Sequence, residues 1–232
     1  MKYYFQDNAP DSGPWTFDKE GNKWIEPILD KDIDWNNWPV RSINENTTDL
    51  FYVDGFPRQA TNTLRRMLLE CFPTIAITDN IYHMEYTFYS NMTMGKKCLL
   101  TIRDPFDAIS STYGYTNAET DNDVILDSII KYYLRITSIP LKLPYDLSHI
   151  TIVDFNDIIN NPHELLYKIK IMFNLLEDNL KKYVGLEKSK IYDKNHNFTQ
   201  KQEVINYLNK NINKLEQCYD IYNRVKKEKI WK

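Results

Sequence analysis

The stretch LFYVDGFPRQATNTLRRMLLECF, Leu50 to Phe72, decides how this chain is read. It opens with an apolar run, Leu50–Val53, bounded by Asp54 and Gly55, and predicts a buried strand. It closes with Leu64, Met67, Leu68 and Cys71 at spacings of three and four. That pattern predicts a helix over Thr61–Cys71, ended by Phe72-Pro73. Between them lies the turn Gly55-Phe56-Pro57-Arg58-Gln59-Ala60-Thr61-Asn62. Gly55 permits a tight exit from the strand. Successive backbone N–H groups at a helix start converge on one point, and the helix dipole favours negative charge there. Thr61 and Asn62 carry side-chain donors, and Arg58 adds a fixed charge suited to tetrahedral oxyanions. The expectation is a strand, an anion-cradling turn and a helix. On this segment alone, an ordinary strand-turn-helix with a surface arginine is the alternative. An ATP-type loop would read G-x-x-x-x-G-K-[ST]. Here Ala60 stands in place of the second glycine, no lysine follows it, and Asn62 fills a hydroxyl slot, which argues against Mg²⁺-nucleotide binding.

Working outward, Thr74–Thr78 and Lys97–Ile102 read as further strands, as does His149–Val153. Asp104-Pro105 predicts a capped helix start running to about Tyr113. Asp123–Ser138 has helical spacing, and Asn161-Pro162 opens a helix to about Leu175. Glu177–Val184 reads as a short helix, Lys188–Thr199 as a polar loop, and Gln200 to Glu228 as a charged helical pattern broken near Asn211. Short apolar strands alternating with amphipathic helices predict a parallel sheet covered on both faces, a three-layer α/β domain over residues 49–232. Residues 1–48 hold Trp15, Trp24, Trp35 and Trp38 with little periodicity, and are expected as an irregular extension packed on the core. The whole chain then forms one domain.

Composition narrows the function classes. A net charge of -3 and a pI of about 5.9 speak against a nucleic-acid partner, so an anion site must be a local cluster of arginines. The three cysteines, Cys71, Cys98 and Cys218, are too widely spaced for a metal knuckle or a disulfide framework, and no metal is expected. The opening MKYYFQDNAPDSG lacks an apolar core of signal-peptide length, and no run approaches the ~20 apolar residues of a membrane span. A cytoplasmic setting without membrane contact is the expectation.

The second informative stretch is CLLTIRDPFDAISSTYGY, starting at Cys98. A strand ends at Arg103 and a helix begins at Asp104-Pro105, with Ser111 inside it. An arginine can make paired N–H bonds to a phosphate, and a serine hydroxyl can add a third. Alone, this stretch reads first as a capped helix with an arginine in a surface ion pair.

Together the two stretches resemble the sulfotransferases that use 3′-phosphoadenosine 5′-phosphosulfate (PAPS). The first loop of that family reads roughly P-[KR]-[SA]-G-T-[ST]-x-L, and stands here as Pro57-Arg58-Gln59-Ala60-Thr61-Asn62-Thr63-Leu64. The second reads R-[ND]-P-x-D-x-x-x-S, and Arg103 to Ser111 matches it at every specified position. TIVDFNDIINNPHELLYKIKIMFNL is similar to the family's late strand, acidic loop and following helix. The resemblance covers roughly Leu50–Leu175. Ala60, Asn62 and Thr63 depart from the usual glycine, hydroxyl and adenine-stacking aromatic, and the C-terminal R-K-G-x-x-G signature is absent.

What the resemblance implies is a P-loop NTPase-like fold with PAPS as sulfuryl donor and 3′,5′-bisphosphoadenosine (PAP) as product. Arg58, Gln59, Ala60, Thr61, Asn62 and Thr63 would hold the 5′-phosphosulfate, with Arg58 standing where the family often has a catalytic lysine. Arg103 and Ser111 would hold the 3′-phosphate, and Tyr192 and Lys194 are nominated as a nucleotide cover. His83 is the expected general base, with Glu85 as the alternative. Tyr82, Tyr86, Phe88 and Tyr89 are candidates for an acceptor pocket, with core filling as the other reading. The implied acceptor is a small molecule or short glycan with a hydroxyl or amine. A kinase-like phosphotransferase and a nucleotide-binding protein without catalysis stay open.

Overall fold

The computed structural model describes residues 40–41, 49–78, 88, 91–92, 95–115, 122–142, 150–176, 179–180 and 202–227. In chain order the elements are β1 (Val40–Arg41), β2 (Asp49–Gly55), α1 (Thr61–Cys71), β3 (Ile75–Thr78), β4 (Lys97–Ile102), α2 (Pro105–Tyr115), α3 (Asp123–Thr137), α4 (Ile139–Lys142), β5 (Ile150–Asp154), α5 (Phe155–Asn160), α6 (Pro162–Phe173) and α7 (Gln202–Lys210). A 3₁₀ turn over Ile212–Leu215 and α8 (Glu216–Lys227) complete them.

The strands form one sheet in the order β1-β3-β2-β4-β5. β3, β2, β4 and β5 are mutually parallel, while β1 pairs antiparallel with β3 through Val40↔Thr78 and Arg41↔Ile77. The expected parallel sheet is therefore present with an antiparallel edge that the sequence pattern did not show. Apart from that pair, the extension over residues 1–48 lies outside the described residues. So does most of the helix read at Glu177–Val184.

Side chains alternate between the two faces of each strand. Phe51, Val53, Leu99 and Val153 bury one face against α1, α5 and α6. Tyr52, Leu100, Ile102, Ile150 and Ile152 bury the other against α2, α3, α7 and α8. Helices thus cover both faces, giving an α/β architecture. α1 docks through Leu64, Met67 and Leu68, all fully buried, each contributing about 1.5–3 kcal/mol by removal from water. The helical pattern at the C-terminal end breaks at Asn211, between α7 and the 3₁₀ turn. Among the described residues, no helix is long and apolar enough to cross a membrane.

The order places the site. From β2 the chain crosses to β3 on one side, then returns past β2 to β4 on the other. The connections leaving β2 and β4 diverge, and the carboxyl ends of strands at such a switch in order are the usual ligand position in open α/β sheets.

Candidate functional site

The carboxyl ends of β2 and β4 meet at the register pair Gly55↔Thr101. They are so close that a Cβ on Gly55 would lie 2.5 Å from the carbonyl oxygen of Thr101 and 2.8 Å from Gln59 Oε1. Only glycine fits where the first loop turns back over the neighbouring strand.

The loop then uses left-handed backbone twice without glycine. Arg58 has φ 65° and Ala60 has φ 60°. Ala60 is the N-cap of α1 but has no side chain that can cap, and the first turn carries no acidic residue. The positive end of an eleven-residue helix is therefore not offset by its own side chains.

Arg58 and Arg103 are brought together. Arg103 Nη1 donates to the backbone carbonyl of Arg58 at 3.0 Å. Arg58 Nε donates to Ser111 Oγ at 3.3 Å. Each segment thus reaches across to the other. The Arg103 guanidinium lies over the Phe155 ring, 4.1 Å from its centroid, and its Nη2 stands 3.8 Å from Asp107 Oδ2. Tyr133 donates its hydroxyl to the carbonyl of Arg103 at 2.8 Å. Burial lowers the basicity of Arg103 below the usual arginine range; Asp107 and Asp104 oppose that, and the neighbouring Arg58 charge adds to it. Arginine stays charged at any working pH. An anion set between two such cations relieves both their desolvation and their mutual repulsion.

Asp104 caps α2 as its sequence predicts, accepting from the backbone N–H of Phe106 at 2.9 Å and of Asp107 at 3.3 Å.

Other nominated side chains are engaged within the fold. The Thr61 and Thr101 hydroxyls share a hydrogen bond at 2.9 Å, and Thr101 also donates to the carbonyl of Asp54 at 3.3 Å. Asn62 Oδ1 accepts from Arg65 Nη1 at 3.0 Å. Thr63 is half-buried in the first turn of α1. Gln59 differs from these. It is 1 % exposed, and both atoms of its carboxamide are buried without a hydrogen-bond partner among the described residues. Arg103 Nε is buried and unpartnered in the same sense. His83, Glu85, Tyr192 and Lys194 lie outside the described residues.

Several contributors were not singled out from sequence. Phe155 and Tyr133 hold Arg103 from two sides, yet each reads in sequence as an ordinary apolar-face residue. Arg65 is buried and donates through Nε and Nη2 to the carbonyl of Val53 at 2.9 and 2.6 Å. It serves that carbonyl just past Tyr52, where the β3 ladder ends. At the end of β5, Asp154 caps α5 through the N–H of Asn156 at 3.0 Å. The same carboxylate accepts from Tyr222 at 3.2 Å and pairs with Lys226 at 3.1 Å. α8 is thereby tied to the same end of the sheet.

No protein-family model and no curated protein matches this chain.

Proposed function

We propose that this chain is a PAPS-dependent sulfotransferase of P-loop NTPase-like fold, acting on a hydroxyl or amine of a small molecule or short glycan. The observation that carries the proposal is the junction of the two arginine-bearing strand ends, Arg103 Nη1 to Arg58 O at 3.0 Å. A ligand with anionic groups at both ends gives a joint purpose to two guanidinium-bearing segments that the fold holds side by side.

In this proposal the backbone N–H groups of Gln59 to Thr63 hold the 5′ end of the nucleotide at the positive end of α1. Arg103 and Ser111 hold the 3′-phosphate, and Arg103 Nε is a buried donor ready for one of its oxygens. In transfer, a new S–O bond forms to the acceptor oxygen and the S–O bond to the 5′-phosphate breaks. The acceptor proton leaves to a base, for which His83 and Glu85 are the sequence candidates. Arg58 neutralises the charge that grows on the departing phosphate oxygen. It cannot give up a proton, so its part is electrostatic. Most of the acceleration then comes from alignment and fixed charge, as in phosphoryl transfer.

Thermal-shift measurement with PAP, without Mg²⁺, is the first test, and labelled-sulfate transfer over an acceptor panel is the second. Stabilisation by PAP followed by transfer is the expected result. Stabilisation by Mg-ATP alone would assign a kinase-like protein instead. Binding of PAP with no transfer to any acceptor would leave a nucleotide-binding protein.

A further inference from the structure

Arg103 and Phe155 are each the first residue past a strand. β4 and β5 end at the register pair Ile102↔Asp154, so the two residues leave neighbouring strands at the same level of the sheet. The Arg103 guanidinium lies over the Phe155 ring, 4.1 Å from its centroid and well inside cation–π range. Phe155 is half-buried. Among the described residues its ring belongs to neither apolar cluster that covers the sheet, so core filling does not account for a phenyl group here.

Three contacts fix Arg103 before any ligand arrives. Tyr133 donates to its carbonyl at 2.8 Å, its Nη1 donates to the Arg58 carbonyl at 3.0 Å, and the ring sets the plane of its guanidinium. Nη2 is left over, since its 3.8 Å approach to Asp107 is too long for a hydrogen bond. The Arg103 side chain is 18 % exposed although its Nε is buried, and the Asp107 side chain beside Nη2 is 52 % exposed. The Nη2 end is therefore the one that faces outward. An arginine that must search its rotamers loses freedom on binding an anion, and one already held flat loses little.

We propose that Phe155 is a positioning residue for Arg103, its ring holding the guanidinium plane so that Nη2 meets the 3′-phosphate of the donor. The step rests on the sulfotransferase reading and deepens it. The preference for a 3′-phosphorylated nucleotide over an ordinary adenylate then depends on an aromatic face that itself touches no phosphate.

Calorimetry on the full-length chain, with PAP and with adenosine 5′-phosphate as ligands, tests this. Phe155→Leu is expected to raise the Kd for PAP about three- to tenfold, the range of one partly desolvated cation–π contact. The Kd for adenosine 5′-phosphate stays within about twofold, because that ligand has no group for Arg103. Phe155→Tyr keeps the face and keeps wild-type affinity for PAP. In an Arg103→Ala background, Phe155→Leu has no further effect on PAP, because nothing is left to position. If Phe155→Leu does not fold, Phe155→Met, of similar volume, takes its place in both backgrounds. Unchanged PAP affinity in the leucine variant overturns the proposal. So does an equal loss for both nucleotides, or a loss that persists without Arg103, either of which would make the ring a part of the fold or a direct ligand contact. Wild-type protein that binds PAP no more tightly than adenosine 5′-phosphate fails the sulfotransferase reading itself, and the role of Phe155 falls with it.

Discussion

Arg103 Nη1 donates a hydrogen bond to the carbonyl oxygen of Arg58 at 3.0 Å, so the residue just after β4 holds the backbone of the loop leaving β2. Arg103→Ala therefore removes a cation and a loop brace together. The Kd for PAP should rise about tenfold or more by calorimetry, the loss of one charge-assisted contact. Arg103→Lys should not restore it, since an ammonium cannot both bridge to the loop and lie flat on Phe155. Equal affinity in the alanine variant would take Arg103 out of the site.

Ala60 holds φ 60° at the entrance to α1, a conformation that costs an L-residue roughly 1–2 kcal/mol and glycine nothing in sterics. Part of that gain is lost to the greater freedom of glycine in the unfolded chain. Ala60→Gly should raise unfolding stability by about 0.5–1 kcal/mol, read as a higher urea midpoint at unchanged slope. A lower midpoint would show that the loop is not held in this conformation in solution.

Asp154 is 1 % exposed, and Lys226 and Tyr222 from α8 both engage its carboxylate. Lys226→Met removes this cation from beside a buried carboxylate. The Lys226 side chain is 43 % exposed, so water screens part of the pair and the cost should be about 1–2 kcal/mol, less than for a fully buried pair. Adding Asp154→Asn should recover most of the loss, because asparagine can still cap α5 without a charge to compensate. A Lys226→Met protein as stable as the wild type would show that α8 does not carry this carboxylate.

Alkaline pH should destabilise the fold. Burial pushes the Cys98 and Cys218 thiols up from 9.0 to about 12, and raises the buried hydroxyls of Tyr52, Tyr132 and Tyr133 in the same direction. For each, the unfolded chain gives up its proton first. Their contribution is complete below about pH 9 and drains away as pH rises toward 12. Urea midpoints measured from pH 8 to pH 11 should fall, and Cys98→Ala with Cys218→Ala should make the fall shallower. A flat profile would mean that these groups titrate freely in the folded protein.

The elements nearest the loop were the most legible in sequence. β2, α1, β4 and the Asp104 cap of α2 follow from local patterns, since apolar runs, helical spacing and cap chemistry act within a few residues. Phe155 and Tyr133 were not legible as supports of Arg103. Their ring and hydroxyl contacts exist only because β5 lies beside β4 and α3 packs beneath both. The antiparallel β1 edge escaped notice because two residues carry no period to recognise. Thr61 and Asn62 have the chemistry of anion donors, yet Thr101 and Arg65 engage them, partners set by strand register and helix packing rather than by the loop's own residues.

The sequence by itself determined that a glycine, two arginines and a capped serine helix stand after apolar strands, because those features depend on short-range sterics and periodicity. Only the tertiary structure decided that the two strands are neighbours at a switch in strand order, so that Arg58, Arg103 and Ser111 meet. It also left the Gln59 carboxamide enclosed and, among the described residues, without a hydrogen-bond partner. The physical reason is that strand pairing is a long-range choice, made by the burial of both sheet faces at once, and no local pattern encodes which strand lies beside which.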